Sequence, residues 1–267
     1  MNTAESIMNQ TLFEKYNIPV PRYTSYPAVP DWQNQAPTQK EWIYTLNQNL
    51  FIDNEISIYI HLPFCENLCT YCACNKRITK NHKVESPYVD MILAEWQLYL
   101  DQLEKRPVIR ELHLGGGTPT FFHPDELDRL LTGIITSTEL SSSHSLSFEA
   151  HPNSTIAGHL EVLYSHGFRR ISIGIQDVNP NILKAINRHQ TTEQIESMTM
   201  DARRIGYTSI NYDIIYGLPF QTIDHIEETL QFVLKMKPDR LAFYGYAHVP
   251  WKSKGQRAFT DNDIAKE

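Results

Sequence analysis

Short apolar runs alternate with longer amphipathic segments from about residue 55 onward, and this alternation limits the possible folds more than any other feature. Six runs have the length and composition of strands: 57–62, 109–114, 145–149, 171–175, 209–215 and 240–246. Helical periodicity follows in the segments between them: 87–105, 124–136, 155–166, 192–205 and 223–236. Successive strand–helix units form right-handed connections on a parallel sheet. We therefore expect an α/β fold, a partial (β/α)6 TIM-like barrel rather than a closed one of eight units.

The ends of these elements carry local signals as well. Ser86 with Pro87 predicts the N-cap and first turn of the first long helix. Before the alternation starts, prolines at 19, 21, 27, 30 and 37 exclude long regular elements. We expect residues 1–50 to form an extended N-terminal arm with one helix near 39–49, and residues 51–257 to form the barrel.

Charge and hydropathy exclude some function classes. The 267 residues include 24 basic and 31 acidic side chains, a formal net charge of -7, which repels a phosphate backbone. We therefore expect no nucleic-acid partner. The chain has no basic segment leading into an apolar one at its start and no run of about 18 apolar residues. The expectation is a cytoplasmic protein without a membrane span.

All four cysteines lie between Cys65 and Cys74, in a loop that follows the first predicted strand. Their spacing is C-x3-C-x2-C-x-C. Thiolates are the ligands that iron–sulfur clusters require, and three on one loop can hold a cubane whose fourth iron stays open. The alternative is a four-cysteine zinc site, which normally uses two paired knuckles separated by a longer spacer. The short loop favours the cluster.

Eight segments together resemble one family within the radical S-adenosylmethionine superfamily: RYTSYP (22–27), YIHLPFC (59–65), YCACNK (71–76), HLGGGTPT (113–120), IGIQD (173–177), NRHQ (187–190), YDIIYGLP (212–219) and YAHVP (246–250). The chain is similar to the oxygen-independent coproporphyrinogen III oxidases over residues 16–257. That family continues into a helical C-terminal domain, so residues 258–267 would be the start of a missing C-terminal region.

The resemblance implies cofactors and their contacts. Cys65, Cys69 and Cys72 would bind a 4Fe-4S cluster, with Cys74 left uncoordinated. S-adenosyl-L-methionine would bind twice in each active site. Its contacts would be Tyr59, Gly116, Gly117, Thr118, Glu149, Gln176, Arg188, Asp213 and Ala247. In the predicted barrel all of them except Arg188 fall on the strands or close to their carboxyl ends, where such folds place their active sites. No catalytic residue is assigned outside the cofactor site.

Each assignment has a structural alternative. Gly115–Gly117 could be a simple strand-to-helix turn, and Tyr59 a core tyrosine. Arg188 and Asp213 could form an ion pair that only stabilises the barrel mouth. The basic residues after the loop could contact substrate propionates or simply face solvent: Lys76, Arg77, Lys80 and Lys83.

The activity implied by the resemblance is the oxidative decarboxylation of two propionates of coproporphyrinogen III to vinyl groups. The product would be protoporphyrinogen IX, in anaerobic haem synthesis. Reduced flavodoxin or ferredoxin would supply electrons, and the protein would act as a monomer. Two alternatives stay open: a haem chaperone-like relative that binds haem, and an inactive truncated remnant. Cys74 favours the decarboxylase over the chaperone, which typically has an aromatic residue there.

Overall fold

The computed structural model describes residues 10–16, 18, 28, 31–32 and 36–264. The chain divides into two compact units, Met1–Tyr44 and Thr45–Glu267. Helix α1 spans Gln10–Tyr16, and α2 spans Gln39–Ile52. Thr38 and Glu41 cap the start of α2 reciprocally, since each side chain accepts a hydrogen bond from the other residue's backbone N–H. The RYTSYP segment lies outside the described residues.

The second unit contains a parallel six-stranded sheet in the order β1-β4-β5-β6-β7-β8. Its strands are β1 Glu55–Leu62, β4 Val108–Gly116, β5 Glu139–Ala150, β6 Phe168–Gln176, β7 Ser209–Tyr216 and β8 Arg240–Gly245. A separate short parallel pair, β2 Phe64–Cys65 and β3 Arg77–Ile78, holds the cysteine loop. Because β1 and β8 stand at the two ends of the strand order, the sheet confirms the predicted partial barrel.

The helices that connect these strands are α3 Glu85–Leu100, α4 Pro124–Ile135, α5 Ala157–Ser165, α6 Pro180–Ala185, α7 Thr192–Ile205 and α8 Ile223–Met236. Helices α7 and α8 have the predicted bounds because Thr191 and Thr222 cap them locally. No helix in the described part of the chain is both long enough and apolar enough to cross a bilayer.

Several local features differ from the sequence prediction, and three of them have a clear physical reason. Strand β5 begins at Glu139, six residues early, because the polar stretch 139–144 gives no strand periodicity although its first residues pair with β4. Ser86 does not cap α3: a 3-10 turn at His82–Val84 precedes it and the helix begins at Glu85. Helix α6 was not predicted, since six residues are too few for a clear period.

Side chains alternate along the strands between an apolar layer under the helices and a polar layer on the opposite face. Leu112, Phe148 and Ile173 are completely buried in the core. Their neighbours His113, Ser147 and Ser172 line a polar pocket on the other face of the sheet. The carboxyl ends of the strands therefore open above polar side chains rather than above a filled apolar interior.

Candidate cluster and cofactor site

A cavity of about 190 Å³ lies at the carboxyl ends of the sheet strands. Every predicted site residue except Tyr59 and Ala247 lines it: Cys65, Cys69, Cys72, Gly116, Gly117, Thr118, Glu149, Gln176, Arg188 and Asp213. Parallel strands bring their carboxyl ends to one edge, which is why residues up to 148 positions apart meet there.

The cysteine loop is held by backbone hydrogen bonds and by one lysine. Thr79 N donates to Cys65 O at 2.9 Å, and Thr70 N donates to Ile186 O at 3.0 Å. The Lys76 ammonium donates to the carbonyl oxygens of Cys72 and Cys74 at 2.9 and 3.1 Å. Lys76 therefore closes the loop around the thiols, which is a different task from binding substrate.

The thiols of the loop differ in their surroundings. Burial raises the pKa of Cys65, although its Sγ lies 3.3 Å from the Thr118 hydroxyl. A hydrogen bond with Cys74 is the main cause that lowers the pKa of Cys72 to about 6, and the Lys76 charge adds to it. The same contact raises the pKa of the exposed Cys74 thiol. Cys72 is thus the member of the Cys72–Cys74 pair that more readily becomes a thiolate.

The donor set at this cavity suits an iron–sulfur cubane. Cys65, Cys69 and Cys72 are all unpaired thiols and all face the same cavity, and thiolates are the ligands of such clusters. Among the described residues, no three or more His, Cys, Asp or Glu side chains are arranged around one metal ion. A cubane makes a different demand, because each thiolate binds a separate iron.

The glycines that end β4 make room for the chain itself. A Cβ atom on Gly117 would lie 2.5 Å from Pro63 O, and one on Gly116 would lie 2.8 Å from the His61 ring. Gly116 also has φ 116°, which disfavours other residues. Gly117 N and Thr118 N donate to Leu62 O and Phe64 O. These glycines are more than a turn, since they let the cysteine loop pack directly on β4.

Arg188 and Asp213, both within the described residues, do not form the ion pair that the sequence left open. Asp213 accepts hydrogen bonds from the Ser172 hydroxyl at 2.9 Å and the Asn211 amide at 2.8 Å. Burial raises the pKa of Asp213. Arg188 instead donates to Gln190 Oε1 at 2.8 Å and toward the cysteine loop. The two residues therefore take separate places in the cavity.

Gln176 and Glu149 both contribute polar groups to the cavity, but Gln176 is buried and Glu149 is about half exposed. Gln176 ends β6 with φ 69° and is 8% exposed; such left-handed backbone in a non-glycine residue is uncommon and concentrates at functional sites. The Glu149 carboxylate is about half exposed and lies 3.7 Å from His113 Nε2. A ligand in the cavity can therefore reach Glu149 without displacing a buried partner.

Tyr59 and Ala247 lie outside the cavity lining. The interpretation of Tyr59 as a core residue is wrong, since it is 58% exposed. Its hydroxyl lies 3.1 Å from His61 Nδ1, and its ring stacks on His113. Ala247 O accepts a hydrogen bond from Gln256 Nε2 at 3.2 Å. Gln256 also accepts from Val249 N, so this buried amide holds the segment after β8.

Sequence reasoning missed several polar residues that line the same cavity: His151, Asn153, Asn187 and His189. Burial, and then the Arg188 charge, holds the pKa of His151 well below its ordinary value. Asn187 has φ 53° and donates to Leu68 O at 2.8 Å, which ties the segment after α6 to the cysteine loop. The signal for His151 and Asn153 was available, because they directly follow Glu149 at the end of β5.

The remaining basic residues after the loop do not line this cavity. Arg77, Lys80 and Lys83 are exposed, and the cavity wall includes only Lys76 from this stretch. Their arrangement is that of a solvated surface.

Comparisons with known proteins agree with this geometry. The sequence profile of the Radical SAM superfamily matches residues 59–233. An oxygen-independent coproporphyrinogen III oxidase from Pseudomonas aeruginosa is 37% identical over 95% of this chain and 55% of its own length. The Escherichia coli protein of that name is 35% identical over 95% and 54%. The chain thus spans about half the length of these curated relatives.

Solved structures show the same relationship. Coproporphyrinogen III oxidase (HemN) from Escherichia coli, described as a radical SAM enzyme, superposes with a TM-score of 0.86 at 32% identity, covering 98% of this chain and 58% of that one. The radical S-adenosylmethionine methyltransferase TsrM from Kitasatospora setae, at 14% identity and a TM-score of 0.52, covers 74% of this chain and 35% of that one and shares the fold alone. From its matched profile and its thiol-lined cavity, the chain belongs to the radical SAM superfamily, whose members use a 4Fe-4S cluster and S-adenosylmethionine.

Proposed function

We propose that the chain acts as an oxygen-independent coproporphyrinogen III oxidase, which decarboxylates two propionates of coproporphyrinogen III to vinyl groups and gives protoporphyrinogen IX. One observation carries this proposal: proteins of that name match 95% of the chain at up to 37% identity, across the whole thiol-lined cavity.

Cys65, Cys69 and Cys72 would hold the cluster, and the Thr118 hydroxyl would stay beside Cys65. When bound, the cluster and S-adenosylmethionine supply one-electron chemistry that ends in hydrogen abstraction from a propionate side chain. The chain's own part is to orient these groups and limit water. The segment that leads into the cysteine loop packs closely on Gly117 through Pro63 and Phe64, which would position the loop.

We further propose two S-adenosylmethionine molecules in each site. Tyr59, Gly116 and Glu149 would contact the first, since an accessible carboxylate suits an amine or hydroxyl donor. The second would contact the residues that the family resemblance assigns to it: Gly117, Thr118, Gln176, Arg188, Asp213 and Ala247. Ser172 and Asn211 hold Asp213 in place for this purpose.

The setting of the protein is also part of the proposal. A small reduced carrier such as flavodoxin or ferredoxin would supply electrons to a monomer in the cytoplasm. Four unpaired cysteines close together support a reducing compartment, where thiols persist. We also propose that residues 1–50 form an arm and residues 51–257 form the barrel.

Anaerobic reconstitution with iron and sulfide tests the proposal. We expect a cluster spectrum, then 5'-deoxyadenosine and vinyl product only when S-adenosylmethionine and coproporphyrinogen III are both present. Cleavage of S-adenosylmethionine without vinyl product would contradict the proposed substrate, while membership of the radical SAM superfamily would still hold. A stoichiometric haem complex with no decarboxylation would favour the haem-binding alternative.

Two single substitutions provide a matched control for the cluster. Cys72→Ser removes a proposed ligand and should abolish stoichiometric iron, because a thiolate is lost from the three. Cys74→Ser changes a thiol only two positions away, which is exposed, and should retain iron. Equal iron loss in both variants would contradict the assignment of three ligands.

A further inference from the structure

Arg188 is a buried cation that forms no ion pair with a carboxylate of the described residues. Its side chain is at the cavity wall, yet the residue is only 7% exposed. Its Nε donates to Gln190 Oε1, and its Nη2 donates to Gly174 O. Among the residues that the structure describes, no Asp or Glu oxygen lies within 4.0 Å of its charged nitrogens. A buried charge without a counter-charge is costly.

The other side of the guanidinium faces a cluster ligand. Nη1 lies 3.7 Å from Cys69 Sγ and 3.2 Å from Tyr71 Oη. The Tyr71 hydroxyl accepts a hydrogen bond from this Nη1 and so holds the guanidinium beside the cysteine loop. Cys69 thus receives a hydrogen bond from a cation that the Tyr71 hydroxyl helps to position.

Gly174 makes this contact possible. A Cβ atom at position 174 would lie 2.8 Å from Arg188 Nη2, and the glycine oxygen accepts from the same nitrogen. A larger residue in the middle of β6 would push the guanidinium away from the cysteine loop. The contact is therefore built from both the strand and the loop, and is not a chance approach of a flexible side chain.

We propose that Arg188, held in position by the Tyr71 hydroxyl, compensates the negative charge of the cluster at Cys69 and raises its reduction potential. Reduction by an external one-electron donor adds one negative charge to a cluster that three thiolates already make anionic. A fixed cation and hydrogen bonds to a ligand sulfur stabilise that reduced state. The inference rests on the cluster assigned above to Cys65, Cys69 and Cys72, and does not depend on the substrate.

This role differs from a contact to S-adenosylmethionine and can be separated from it. A residue that acts only on S-adenosylmethionine changes nothing while that molecule is absent. The test is therefore a redox titration of the reconstituted protein without S-adenosylmethionine or substrate, followed by the electron paramagnetic resonance signal of the reduced cluster. Iron and sulfide content are measured first for every variant.

Arg188→Met should lower the ratio of reduced to oxidised cluster by about tenfold at a fixed solution potential, which is about 59 mV for one electron. Arg188→Lys should recover part of the loss, because the charge remains but the planar donor pair does not. Tyr71→Phe should shift the potential in the same direction by less. Arg169→Lys is the matched control, since Arg169 lies 3.6 Å over the Tyr164 ring and outside the cavity lining.

Wild-type potential in an Arg188→Met variant with full iron content would overturn the proposal. If that variant fails to keep iron, Tyr71→Phe decides, and an unchanged potential there overturns it equally. Because neither S-adenosylmethionine nor coproporphyrinogen III is present, a failed decarboxylation assay and a failed titration remain separate results.

Discussion

Gly117→Ala tests the contact between the cysteine loop and the sheet. The new methyl group would lie 2.5 Å from Pro63 O and 2.8 Å from Phe64 O, both backbone atoms that cannot rotate away. Ordinary contact begins near 3.4 Å, so the loop must move by 3.4 − 2.5 = 0.9 Å. The movement strains the bonds from Gly117 N to Leu62 O, at 2.9 Å, and from Thr118 N to Phe64 O, at 3.0 Å.

The expected cost follows from these contacts. Overpacking costs about 1–3 kcal/mol, and each weakened backbone hydrogen bond adds up to about 1 kcal/mol. We therefore expect Gly117→Ala to lower the free energy of unfolding by about 1–5 kcal/mol. Because Cys65 directly follows Phe64, we also expect loss of stoichiometric iron.

Urea unfolding under anaerobic conditions and iron analysis measure both effects. Gly158→Ala is the control, since Gly158 lies in α5 and a Cβ there would meet its nearest neighbour, Pro124 Cγ, at 3.5 Å. That change should stabilise the protein by about 0.5–1 kcal/mol. Gly117→Ala with wild-type stability and full iron would refute the steric argument.

Two further predictions concern pH. His159 accepts from Ile156 N and donates to Phe122 O, and burial lowers its pKa below 6.5. Below pH 6.5 the unfolded state therefore binds more protons than the folded state. The free energy of unfolding keeps the full contribution of neutral His159 above pH 6.5 and falls on acidification by up to about 1.4 kcal/mol per pH unit. His159→Gln should reduce this slope in urea titrations, and an unchanged slope would contradict the argument. Gln221→Ala removes the amide that donates to the fully buried Asp177 carboxylate at 2.6 Å. Burial already raises the pKa of Asp177 in the wild-type protein. The free energy of unfolding of the variant should fall by about 2–3 kcal/mol at neutral pH. It should fall by less near pH 4, because the folded state protonates Asp177 above pH 3.8 and a neutral carboxyl needs the lost donor less. An equal decrease at both pH values would contradict the argument.

Elements with local signals were predictable from sequence. The caps at Thr191 and Thr222 lie next to the helices they start, so the bounds of α7 and α8 agree with the expectation. The early part of β5 was not predictable, because residues 139–144 are mostly polar and their strand conformation depends on pairing with β4.

The contents of the cavity were predictable in part. The spacing of Cys65, Cys69 and Cys72 and the rule that barrel sites lie at strand ends together predict the three thiols and the strand-end residues of the cavity lining. The same rule would have included His151 had it been applied beyond Glu149. Motif comparison alone gave Arg188 a ligand role, without any indication of its protein partners.

By itself, the amino-acid sequence determined the strand–helix alternation and the set of thiols, because periodicity and ligand spacing are properties of neighbouring residues. Only the tertiary structure decided that Arg188 meets Cys69, 119 residues away, rather than Asp213. It also decided that Gly117 makes room for Pro63. Such contacts depend on how β1, β4 and β6 align in the sheet, and strand register is set by pairing and packing between distant segments.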